Sequence, residues 1–64
     1  MKKWYYFIVQ DENHVEILLW MCHIADIQFN VTKVDKGIWD IAFFVTYLNY
    51  LRITKVINLL EPKN

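Results

Sequence analysis

Sixty-four residues with seven basic and seven acidic side chains carry a formal charge of zero, which removes the general electrostatic pull toward nucleic acid or anionic membrane. Apolar residues make up 56% of the chain and eleven positions are aromatic. That is more than the interior can shelter, because a chain of about 60 residues buries only roughly 60% of the surface its unfolded form exposes. A lone cysteine, Cys22, excludes an internal disulfide and suits a reducing cytoplasm.

The opening Met1-Lys2-Lys3 and the apolar stretch from Trp4 to Val9 imitate a signal peptide. The stretch is too short, however, and runs into Gln10-Asp11-Glu12 without a small-residue cleavage site. No apolar run approaches the roughly eighteen residues of a membrane span, so no membrane partner is expected. Residues 3 to 9 are instead aromatic and β-branched, which predicts a strand with apolar side chains on both faces. Asp11 or Asn13 then caps a helix reaching about Asp26, with Asn13 and Glu16 approximating a capping box. At one hundred degrees per residue, Ile17, Leu18, Met21 and Ala25 point toward one centre, whereas Glu12, Glu16, His23 and Asp26 point away. Leu19 and Trp20 fall with the outward group.

Val34-Asp35-Lys36-Gly37-Ile38 reads as a bulged hairpin, with the chain's one glycine in the left-handed position. Pairing Val34 with Ile38 sets Phe29, Val31 and Lys33 opposite Phe43, Ile41 and Trp39 on one face, and Thr32 and Asn30 opposite Asp40 and Ala42 on the other. From about Thr46 the period changes. Tyr50, Ile53, Val56, Ile57 and Leu60 form a helical stripe that Pro62 closes. The β-branched run Ile53-Thr54-Lys55-Val56-Ile57 also allows residues 53 to 60 to be a strand.

The expected fold is therefore a single α+β domain over 1-64, ordered strand-helix-strand-strand-helix. A three-stranded antiparallel sheet carries both helices on one face. This order resembles the ferredoxin-like split βαβ fold truncated before its last strand. A right-handed crossover leaves room for the third strand between the first and second. The resemblance is one of topology and brings no catalytic residues. It leaves the far sheet face uncovered, with Val34, Ile38, Phe44 and alternate members of Trp4 to Val9, and it leaves the first strand at an edge.

Chemistry is sparse. His14, Glu16, Cys22, His23 and Asp26 form the one grouping that suggests a metal, but Cys22 and His23 diverge on the helix, leaving too few ligands for zinc. The same divergence separates a cysteine nucleophile from its base. The chain has no serine, and a single glycine cannot build a phosphate-cradling loop. Asp40 opposite Thr32 is read as a cross-strand hydrogen-bonded pair. No enzyme activity, cofactor or metal is expected.

The expectation is a small protein-binding module, a homodimer or a subunit of a larger assembly, meeting its partner through Trp20, Leu19, Glu16 and His23 on the first helix, Tyr5 and Phe7 on the edge strand, and Phe44 on the open face. Trp4, Tyr6 and Ile8 replace Tyr5 and Phe7 if the strand is turned over. Lys, Asn, Ile, Tyr and Phe occupy 27 positions against five for Gly, Ala, Pro and Arg, a bias typical of A/T-rich coding. Together with the small size, this suggests a phage or mobile-element protein that inhibits a host factor, such as a nuclease or defence complex, by stoichiometric binding. The rival expectation is a single-stranded nucleic-acid binder that stacks bases on the aromatic sheet face, against which stand the missing basic excess and the missing fourth strand.

Overall fold

In the computed structural model, which describes residues 1–62, the chain runs β1 (Lys2–Val9), α1 (Glu12–Ala25), β2 (Gln28–Asp35), β3 (Ile38–Thr46) and α2 (Tyr47–Leu60). The strands form an antiparallel sheet in the order β1-β3-β2. The most apolar strand is thus the central one. Ile41, Phe43 and Val45 of β3 meet Val15, Leu18 and Cys22 of α1 and Ile53 and Ile57 of α2 in one core, so both helices cover the same face. Complete burial of Phe43, Leu18, Ile41 and Val9 stabilises the fold by about 1.5–3 kcal/mol for each side chain.

Directly opposed residues share a face, and this settles the orientation of β1. Tyr5 pairs with Phe43 and Phe7 with Ile41, so Tyr5, Phe7 and Val9 turn toward the helices while Trp4, Tyr6 and Ile8 turn to the open side. Tyr50 of α2 completes the inner arrangement, stacked on Tyr5 with ring centres 4.2 Å apart.

In the hairpin, Phe29, Val31 and Lys33 do face Phe43, Ile41 and Trp39, and the Lys33 ammonium lies 5.7 Å from the centre of the Trp39 ring. Beyond Lys33 the ladder slips by one residue, so Asp35 rather than Val34 pairs with Ile38. Gly37 takes φ 74°, the left-handed geometry that closes such a bulged turn without a Cβ penalty.

Asp11, not Asn13, caps α1. Its Oδ1 accepts the Asn13 N–H at 2.8 Å, and Asp26 ends the helix in the left-handed region at φ 54°. The core stripe of α1 is Val15, Leu18 and Cys22, with Leu19 and Met21 packed beside it; Ile17 faces outward, and Ala25, though exposed, borders the groove between α1 and α2 with Met21 and Ile53. Residues 53 to 60 are helical, because a strand there would set Lys55 on the same face as Ile53 and Ile57. The helix buries both isoleucines and leaves Lys55 in solvent. Thr46 caps this helix by accepting the Asn49 N–H at 3.3 Å. No described helix is long and apolar enough to cross a membrane.

Candidate functional site: the outer faces of α1 and of the sheet

Glu16, Leu19, Trp20 and His23 come together on α1, lining a shallow depression of about 430 Å³. The Trp20 and His23 rings meet edge to face at 6.0 Å, as residues three apart on a helix do. Trp20 is 66% exposed. Leu19, expected to point outward, is half-buried and packs against the core, so it forms the floor of the depression rather than its rim.

Two further residues extend this surface. Ile17 is 47% exposed and Ile24 80% exposed, and with Trp20 they take positions i, i+3 and i+7, a single stripe on the side of α1 turned away from Val15 and Leu18. Amphipathic helices that dock into apolar grooves present anchors at this spacing. The sequence offers weak guidance here, because α1 is apolar almost all round and its periodicity does not say which stripe faces the sheet.

A second exposed surface is the face of the sheet opposite the helices. Trp4 and Phe44 sit side by side across β1 and β3 with ring centres 5.3 Å apart, and Tyr6, Ile8 and Val34 extend the apolar area. Phe44 is therefore on the open face as expected. Tyr5 and Phe7 are not, since they are half-buried beneath α2, and the turned-over set Trp4, Tyr6 and Ile8 is the one that faces outward.

No protein-family model, curated protein or solved structure matches this chain.

Asp40 lies on the open face opposite Thr32, but the two make no hydrogen bond, and Asp40 Oδ1 is buried without a partner among the described residues. Asp40 thus sits between Thr32 of β2 and Ile8 of β1, and the expected cross-strand bond is not formed.

A polar cluster joins parts distant in sequence. Glu61 accepts the Gln10 N–H at 2.9 Å and lies 3.0 Å from His14 Nδ1, while His14 Nε2 is 3.7 Å from Asp11 Oδ2. The two carboxylates sit at opposite nitrogens of one ring, so a single ion cannot draw all three groups into one coordination sphere. Among the described residues no three His, Cys, Asp or Glu side chains are arranged to hold a metal. Nothing local in the sequence links Glu61 to His14. Cys22 is buried in the core, and burial pushes its thiol up to about 11 from an ordinary 9.0, which opposes formation of the reactive thiolate.

Proposed function

We propose that this chain is a non-catalytic binding module that docks a partner protein through the outer stripe of α1 and acts by occupying it stoichiometrically. The observation that carries this reading is Trp20, a large ring standing in solvent between Ile17 and Ile24 on a helix whose other side already supplies the core. Tryptophan anchors of this kind dominate the energetics of protein interfaces. Glu16 and His23 beside the ring provide the polar rim that such anchors usually have.

Absence of catalysis belongs to the same proposal. The thiol is buried and protonated, the His14 imidazole is engaged with Glu61 and Asp11, and the chain has no serine. A cytoplasmic phage or mobile-element inhibitor of a host nuclease or defence complex is the biological setting that suits a small binder with A/T-rich coding.

Affinity capture from a low-GC bacterial lysate, run in parallel with the wild-type chain and Trp20→Glu, tests the reading. A defined partner held one to one by the wild type, and at least tenfold less by a Trp20→Glu chain with unchanged circular dichroism, is the expected result. Equal retention by both would remove α1 from the interface.

The exposed rings Trp4, Tyr6 and Phe44 favour a second reading, the stacking of single-stranded bases on the open sheet. Opposed to it is charge, since among the described positions on that face Lys2 is the sole cation and Asp40 contributes an anion. Anisotropy with mixed-sequence single strands at low salt separates the two readings. Saturable binding below the tens of micromolar typical of non-specific binders would favour nucleic acid.

A further inference from the structure

The geometry points to a second copy of this chain as the cover of the open sheet face, packed sheet to sheet across a two-fold axis, a contact separate from the docking proposed for α1. The layout of the face suits such a contact. Trp4 and Phe44 form one cross-strand row, and Tyr6 and Ala42 form the next. The rings of the first row make an apolar ridge, and beside it the next row sets the methyl of Ala42, 5% exposed, next to the exposed ring of Tyr6. A two-fold axis running across the strands between these rows lays each row of one copy on the other row of its mate. Phe44 of each copy then stands over Ala42 of the other, the self-complementarity that an isologous contact requires, with the sheets about 10 Å apart.

Charge follows the same symmetry. The flanking rows hold Lys2 with Thr46 at one end and Ile8 with Asp40 at the other. The axis brings the Lys2 end of one copy over the Asp40 end of its mate, twice. Asp40, whose Oδ1 finds no donor among the described residues, thereby gains an opposite charge near its carboxylate.

The exposed area is consistent with a covered surface. The chain exposes 4954 Å². A folded monomer of 7.8 kDa should expose about 4,400 Å². Removing an area equal to this surplus on both copies would cover roughly 1,100 Å² in total, just above the value of about 1,000 Å² that a specific interface needs. Because both helices lie on the opposite side of the sheet, the pair would display two α1 stripes outward and bind in a bivalent manner.

Sedimentation velocity of the full chain from about 1 to 100 μM, a range chosen around ordinary dimer affinities, tests this directly. The expected mass is twice 7.8 kDa. Tyr6→Lys, at an exposed position that leaves the core intact, should raise the dimer dissociation constant by about a hundredfold, the size of one hot-spot contact. Lys2→Glu and Asp40→Lys should each weaken the dimer, and the double variant should recover most of the loss. A single-chain mass throughout overturns the proposal, as does a dimer indifferent to Tyr6→Lys, which would place the contact elsewhere. A monomer that binds single strands through Tyr6 would assign the face to nucleic acid instead. Trp20→Glu should leave the dimer mass unchanged, so failure of the α1 reading and failure of this one are told apart.

Discussion

Glu61 and His14 are 47 positions apart in sequence, yet Glu61 Oε2 lies 3.0 Å from His14 Nδ1, which ties the end of α2 to the first turn of α1. The same carboxylate receives the Gln10 N–H, so it also holds the link between β1 and α1. Both side chains are only about one-fifth exposed, where a charge-assisted contact is worth more than at a free surface. Glu61→Ala should therefore cost about 1 kcal/mol, since it removes the acceptor of the exposed Gln10 amide and the partner of the half-buried imidazole. In a double-mutant cycle by urea denaturation, Glu61→Ala and His14→Ala should couple by at least about 0.5 kcal/mol, as residues in contact do. Strict additivity would mean that the contact does not hold the helices together.

Burial of Cys22 has a chemical consequence. Its thiol is pushed up to about 11, so at neutral pH it stays protonated and should resist iodoacetamide until the chain unfolds. The folded state then binds more protons than the unfolded state between pH 9.0 and about 11, and stability must fall as pH rises through that window. Cys22→Ala should cost roughly 1 kcal/mol near neutral pH through lost packing, with the gap to wild type narrowing above pH 9. A gap that widens with pH would contradict the assigned cause.

Phe43 and Leu59 are both large and apolar but should behave in opposite ways. Phe43 is inaccessible in the central strand, and its truncation to Ala should cost about 3–5 kcal/mol, enough to unfold a domain this small. Leu59 stands in solvent at the outer side of α2, and Leu59→Ala should change stability by less than about 0.5 kcal/mol. Thermal melts of the two variants check both statements.

The hairpin was legible because its turn chemistry and its pairing pattern agree. Asp35-Lys36-Gly37 demands a bulged turn, and the pairing from Phe29 through Lys33 then puts apolar residues on one face. The one-residue slip at Val34 escapes notice because a bulge alters the register only locally. α2 was legible for a related reason, since one of its two possible parses places Lys55 in the core. β1 and α1 lacked such a discriminating residue. Trp4 to Val9 is apolar at every position, so nothing in the strand says whether Tyr5 or Tyr6 faces the helices, and only pairing with β3 decides. In α1, Ile17 and Cys22 are equally plausible as core residues by type. Ile17 was expected inside, and the stripe it forms with Trp20 and Ile24 emerges only when Val15, Leu18 and Cys22 are seen against the sheet. Trp20 itself was foreseeable from its position between Glu16 and His23.

The central claim is that the apolar stripe of α1 is surplus to the fold and present for another molecule. Its most direct test is the urea midpoint of a chain carrying Ile17→Gln, Trp20→Gln and Ile24→Gln together, since glutamine is a good helix former that removes the apolar surface without disturbing the helix. The midpoint should stay within the small shift expected of solvent-facing substitutions, about 0.5 kcal/mol or less per site, and the chain should be more soluble than the wild type. A loss of several kcal/mol would show that the stripe belongs to the core and would contradict the claim.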